Sequence, residues 1–186
     1  MHKLVAALAL AAFAFIAPLA HAADTKAAQN LDPENTLYMD LKDGRVVIKL
    51  YPDIAPKTVA RIKKLTREGF YDGLIFHRVI EGFMAQGGDP TGTGRGSSMY
   101  PDLPAEFTNK LSFGRGAVGL ARSTAPDSGN SQFFICFKDC SFLDGQYTLW
   151  GQVVSGMDHV DNITRGEPPA HPDKIIRMQV AADAKD

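Results

Sequence analysis

From residue 76 to residue 89 the chain reads Phe-His-Arg-Val-Ile-Glu-Gly-Phe-Met-Ala-Gln-Gly-Gly-Asp. Arg78 and Gln86 stand there among Phe76, Val79, Ile80, Phe83 and Met84, in short apolar runs of strand character. An arginine in such a run is costly unless it has work or a partner. What it offers is a permanently charged, rigid fork of N–H donors, fit to stabilise an acceptor but not to attack a bond. The other reactive side chains do not assemble into a nucleophilic or metal centre. Ser131 lacks a G-x-S-x-G elbow, and His77, between Phe76 and Arg78, reads as a packed, hydrogen-bonded histidine and not as a base. His77, His159, His171 and the two Cys follow no metal-ligand spacing. Gly92-Thr93-Gly94-Arg95-Gly96 has neither the G-x-G-x-x-G fingerprint nor a Gly-Lys-Ser/Thr, and runs on to Pro101 and Pro104, so it reads as a surface loop.

The elements that must position these residues are mostly strands. Leu37, Met39 and Leu41 alternate with polar or aromatic neighbours. Asp43-Gly44 then gives the signal for a primed turn, and Val46, Ile48 and Leu50 alternate again, predicting a hairpin. Pro56 opens an amphipathic helix with Val59, Ile62 and Leu65 on one stripe and Gly69 closing it. Short apolar runs follow at Leu74 to Ile80, Phe83 to Gln86, Ala117 to Ala121, Phe133 to Cys136, Leu149 to Val154 and Ile175 to Val180. A second helix is expected at Gly156 to Ile163. Many short strands and two helices without βαβ alternation predict a mainly β fold, a closed eight-stranded antiparallel β-barrel capped by two α-helices.

The chain has 186 residues, a formal net charge of −1 and 45% hydrophobic residues. That is room for one domain with a proper core, and the charge balance argues against nucleic acid as a partner. His2 and Lys3, the uncharged stretch from Leu4 to Ala20 and Ala20-His21-Ala22 form the pattern of a secretory signal peptide, with cleavage expected after Ala22. Residues 1–22 are thus an address, 23–35 a polar, flexible leader and 36–182 the folded domain. No second apolar run of spanning length follows, so a periplasmic or secreted protein without stable membrane insertion is expected. In that oxidising setting Cys136 and Cys140 could pair. An extended strand would put their Cα atoms about 13 Å apart, against the roughly 4.4 to 6.8 Å a disulfide needs, so pairing requires a tight reversal near Lys138-Asp139.

Three separated segments, Phe76 to Asp89, Asn130 to Ile135 and Phe142 to Tyr147, occur in an order that resembles the cyclophilin family of peptidyl-prolyl cis/trans isomerases, over about Thr36 to Val180. The resemblance implies rotation about X-Pro peptide bonds with no cofactor or metal, acting on unfolded or partly folded proline-containing polypeptides, in a protein expected to be monomeric. It implies a catalytic group of Arg78, Gln86 and Phe83. Arg78 would donate to the prolyl nitrogen, and Gln86 would orient the arginine or the substrate carbonyl. Phe83, Met84, Phe134 and Leu143 would surround the proline ring, while Ala121, Arg122 and Gln132 would line the extended peptide. Phe142 stands where many members carry Trp and Tyr147 where many carry His. Both keep an aromatic ring at the rim, so isomerase activity should survive, whereas loss of the indole donor implies weak cyclosporin binding. The rival reading is a chaperone module that grips proline segments without turning them over.

Overall fold

The computed structural model describes residues 31–185; the expected signal peptide and residues 23–30 of the expected leader lie outside the described residues. Alternating apolar side chains build the first hairpin, β1 (Thr36–Leu41) and β2 (Gly44–Leu50), joined by Lys42-Asp43. Its turn is not the primed pair suggested by Asp43-Gly44, because no described non-glycine residue has a positive φ. Gly44 instead opens β2 at φ 147°, where a Cβ would lie 2.5 Å from the His159 imidazole.

The remaining strands are β3 (Arg78–Ile80), β4 (Met84–Gly87), β5 (Ala117–Leu120), β6 (Phe133–Cys136), β7 (Thr148–Ser155) and β8 (Arg177–Val180). All eight form one antiparallel sheet in the order β3-β4-β6-β5-β7-β2-β1-β8. It is mainly β, as expected, but the closed barrel is corrected: the sheet is an open, curled half-barrel with β3 and β8 as its edges. The expected run from Leu74 to Ile80 pairs as a strand over only three residues. The side of β3 away from β4 is met by a loop, through isolated bridges Val79–Gly166 and Ile75–Lys174, and not by β8.

Two helices accompany the sheet. α1 (Pro56–Arg67) buries Thr58, Val59, Ile62, Leu65 and Thr66. Its N-terminal amides at Lys57 and Thr58 each donate over 2.9 Å to the Glu106 carboxylate, which caps the helix from a distant loop and meets the positive end of its dipole. α2 (Met157–Asp161) is one short turn with Val160 buried. Among the described residues no helix is long and apolar enough to cross a membrane.

The last residues of the expected flexible leader are ordered. Asp32 caps a 3-10 turn at Pro33–Asn35, and Glu34 bonds to both Lys63 (2.9 Å) and Arg67 (2.8 Å) of α1. Arg67 also holds Asp183, just past the expected domain end at residue 182, so one helix ties both ends of the domain. The Arg67 and Lys63 hydrogen bonds pull the Glu34 carboxyl down from 4.5 to about 2. A carboxyl depressed on folding contributes stability that is complete above its unfolded pKa and lost as pH falls through its folded one. Glu34→Gln should therefore lower the thermal midpoint above pH 5, and that difference should shrink as pH drops from about 4.5 to about 2. Glu34 is half exposed, so the effect stays below about 1 kcal/mol. Melting curves of both proteins from pH 2 to 6 check this; a difference that persists undiminished at pH 2 contradicts it.

Candidate active site

Period-2 alternation divides the strands β3, β4, β6 and β5 between two layers. Val79, Ala85, Phe133, Ile135, Val118 and Leu120 face the main core together with Trp150 and the apolar stripe of α1. Met84, Phe134, Cys136 and Ala117 face the other way into a smaller cluster with Phe113, Cys140, Leu143 and Leu149. Register then decides which side chains of the outer face become neighbours. Arg78 pairs with Gln86, Gln86 with Phe134, and Phe134 with Gly119, a row that crosses four strands. A second row places Ile80 opposite Met84 and Met84 opposite Cys136.

At the end of the first row, Gly119 sits at a register shift in the β5–β7 ladder. A Cβ there would be 2.7 Å from Phe113 Cε1 and would also clash with the Phe134 ring. Its absence lets the two phenyl rings lie over β5, stacked at 5.6 Å. Phe113 is in turn held by Asp144, which accepts from its backbone N–H at 2.8 Å, and by Cys140, whose N–H donates to the Phe113 carbonyl at 2.7 Å.

Above this floor lies a cavity of about 320 Å³ lined by Arg78, Phe83, Met84, Gln86, Ala121, Arg122, Phe134, Phe142, Leu143 and Tyr147. All but one of the residues expected at the site thus meet in one pocket. Met84, Phe134 and Leu143 are buried and form its base. Phe83 is fixed by a turn bond to Ile80 and by the Phe137 N–H on its carbonyl, and its ring lies 5.4 Å from that of Phe142. Phe142 itself is 62% exposed and forms the rim. Tyr147 stands edge-on to Phe134 at 5.6 Å.

The exception is Gln132, which lines a neighbouring groove of about 440 Å³ with Gln86, Ala121, Arg122 and the loop at Gly94–Gly96. It is joined to the pocket by hydrogen bonds. Gln86 Nε2 donates to Gln132 Oε1 at 2.9 Å, and Gln132 Nε2 donates to the Gly96 carbonyl at 2.8 Å. Because Gln132 Oε1 takes the Gln86 amide N–H, Gln86 Oε1 is left to face Arg78, where it accepts a long bond from Nη1 at 3.4 Å. The glycine-rich loop read as surface is therefore also a wall of the groove.

Arg122 lines both the pocket and the neighbouring groove and is also tied into the rim. Its Nε and Nη2 donate to the Gln146 carbonyl at 3.0 and 2.8 Å, its Nη1 donates to the Ser123 carbonyl at 2.9 Å, and its guanidinium lies 4.5 Å from the Tyr147 ring centre. These bonds within the rim brace Tyr147 and Gln146 in place. His77 is packed as expected, but neither ring nitrogen has a hydrogen-bond partner among the described residues. Burial pushes its pKa down, which leaves it neutral beside Arg78 near pH 7. Cys136 and Cys140 are buried free thiols that share the floor cluster.

Sequence reasoning missed three residues that shape the site: Phe113, Gly119 and Glu167. Glu167 Oε2 accepts from Arg78 Nε at 2.9 Å. Nothing in the Glu167-Pro168-Pro169 segment points to a strand 89 residues earlier. The phenylalanine between Ser112 and Gly114 carries no period of its own.

Residues 36–180 match a family model described as cyclophilin type peptidyl-prolyl cis-trans isomerase/CLD. The chain is 54% identical over 193 aligned positions to a probable peptidyl-prolyl cis-trans isomerase of Brucella suis biovar 1, covering 95% of this chain and 97% of the relative. It is 44% identical to peptidyl-prolyl cis-trans isomerase B of Bacillus subtilis, over 71% of this chain and 92% of that protein. Among solved structures it is similar to cyclophilin AquaCyp293 from Hirschia baltica, with a TM-score of 0.77, 30% identity and coverage of 83% and 77%. A cyclophilin type isomerase of Cryptosporidium parvum, solved in the presence of the dipeptide Ala-Pro, matches with a TM-score of 0.73 and 28% identity over 78% of this chain and 98% of that one.

Proposed function

This chain belongs to the cyclophilin-type peptidyl-prolyl cis-trans isomerase family and is an enzyme of that activity, and from that premise we propose that Arg78 drives rotation of X-Pro bonds held in the 320 Å³ pocket. The barrier to rotation is about 18 to 20 kcal/mol because planar amide resonance must be broken. As the bond twists, the prolyl nitrogen regains a lone pair and becomes an acceptor that the planar amide is not. A donor aimed at that nitrogen binds the transition state more tightly than the ground state, which is the requirement for catalysis. The observation that carries this reading is the state of the Arg78 fork: Nε and Nη1 are engaged, while Nη2 has no partner among the described residues, at the wall of an apolar pocket. No covalent intermediate is formed.

Phe83, Met84, Phe134 and Leu143 hold the proline ring and exclude water, which strengthens the charge-assisted bond. Gln86 orients the guanidinium, with its own amide fixed by Gln132. The groove beside Gln132 accommodates the peptide leading into the proline. That proline-containing peptide is the substrate class is supported by the Ala-Pro dipeptide used with the Cryptosporidium parvum relative. The signal-peptide pattern of residues 1–22 supports action in a bacterial periplasm on exported chains, where X-Pro isomerisation limits folding. We take the enzyme to act as a monomer.

Exchange spectroscopy by NMR on an Ala-Pro test peptide checks the reading directly. The protein should raise the cis/trans exchange rate catalytically and perturb the resonances of Phe83, Phe134 and Leu143. Binding with no acceleration would instead fit a module that grips proline segments.

A further inference from the structure

We propose that Glu167 is a positioning residue for Arg78, holding the guanidinium in the orientation from which Nη2 reaches the prolyl nitrogen; this rests on the role assigned to Arg78 above. Arg78 needs such a support. It belongs to a three-residue edge strand, its side chain is 42% exposed, and its pocket-side acceptor among the described residues, Gln86, bonds at 3.4 Å. A long arginine side chain has many rotamers, and packing at this exposed site does not select among them. Glu167 supplies the missing contact at Nε, 2.9 Å away, on the guanidinium edge that Nε shares with Nη2, and bonds Nε alone so that Nη2 stays free.

Glu167 can do this because its own backbone is fixed against β3. Val79 N–H donates to the Gly166 carbonyl at 2.8 Å and Gly166 N–H returns to Val79 at 2.9 Å. This pair zips the residue after Arg78 to the residue before Glu167. The same segment is pinned at Thr164, whose N–H and hydroxyl donate to Asp173 at 2.7 and 2.8 Å, and at Arg165, which pairs with Glu81 at 2.7 Å. The loop that occupies the open edge of the half-barrel is thereby a bracket for the arginine. An ion pair this exposed adds little to stability, so its contribution should appear in turnover and not in melting.

Two opposing effects of the carboxylate are separable. It orders the fork, and it also draws positive charge toward Nε and away from Nη2. The proposal holds that ordering wins. Isomerisation of the Ala-Pro peptide would be measured for wild type, Glu167→Gln, Glu167→Ala, Arg78→Ala and the Glu167→Ala/Arg78→Ala double variant, with 15N relaxation at Arg78 Nε. Glu167→Ala should lose about five- to tenfold, mainly in kcat, with an unchanged melting temperature and a mobile Nε. Glu167→Gln keeps an acceptor oxygen and should retain most of the rate and a rigid Nε. In the Arg78→Ala background, Glu167→Ala should have no further effect. The proposal fails if Glu167→Ala matches wild type, if Glu167→Gln is faster than wild type, or if the loss persists without Arg78. A slow Arg78→Ala with an unaffected Glu167→Ala removes this inference alone. An Arg78→Ala as fast as wild type removes the role of Arg78 and this inference with it.

Discussion

Replacing Arg78 by Ala should slow isomerisation of an X-Pro test peptide by about ten- to hundredfold while leaving the fold intact. A hydrogen bond to a charged donor is worth about 1.5 to 3 kcal/mol, and each 1.36 kcal/mol is a factor of ten in rate. The fold should survive because the side chain is half exposed and its ionic partner Glu167, 52% exposed, can be resolvated when left alone. Strand pairing to Gln86 and the bridge at Val79 are made by backbone and stay in place. Arg78→Lys separates charge from geometry: an ammonium keeps the positive charge but cannot reach Glu167, Gln86 and the substrate at once. It should fall between Ala and wild type. The measurement is the exchange rate at saturating and subsaturating protein, with circular dichroism to confirm folding. An Arg78→Ala rate within twofold of wild type would falsify the assignment of Arg78 as the donor. Even the upper figure is well below a ten-thousandfold acceleration, which needs about 5.5 kcal/mol, so the pocket must contribute the balance.

Arg78 was legible in the sequence because a charge inside an apolar strand is a local anomaly, visible without knowing what surrounds it. The strands were legible for the same local reason, since period-2 alternation marks the face of each one. Cross-strand register is a different kind of information. That Arg78, Gln86, Phe134 and Gly119 fall in one row depends on four strands from three regions of the chain pairing in one alignment, and no single run encodes it. Barrel closure was over-read because eight strand-like runs were counted without their lengths. Ile75 and Phe76 leave the ladder before β3 begins, and three residues present too short an edge to pair with β8. The position of Arg122 at the pocket could be inferred from family resemblance, but how it is held could not: the acceptors at Gln146 and Ser123 that engage its donors are carbonyls, which every residue has. The resemblance located the residues facing the substrate; the glycine and phenylalanine that shape the surface beneath them needed coordinates.

That underlying surface sets the second large expectation. Phe134→Ala should lower stability by about 3 to 5 kcal/mol, the usual cost of deleting a buried phenylalanine side chain, and should remove most of the isomerase activity at temperatures where the variant is still folded. The ring is in contact with Phe113 on one side and Tyr147 on the other, above a glycine that offers no side chain to fill the space it leaves. Relaxation into the cavity is hindered because Phe113 is tied by Asp144 and Cys140 and Tyr147 is braced by Arg122. For a domain of this size the loss corresponds to a drop in melting temperature of roughly 6 to 20 °C. Activity should fall for a distinct reason: without the ring the pocket base no longer contacts the proline, so the substrate is not held while Arg78 acts. The two effects are distinguished by measuring kcat/KM well below the variant's melting temperature alongside Val118→Ala, which deletes a buried side chain of the neighbouring strand on the core face. If Phe134→Ala loses stability yet turns over at the wild-type rate once folded, its ring supports the fold alone. If both variants lose activity equally, general loosening of the sheet accounts for the defect. The expected pattern is that Val118→Ala melts earlier but keeps its rate, while Phe134→Ala loses both, because only the outer face of these strands meets the substrate.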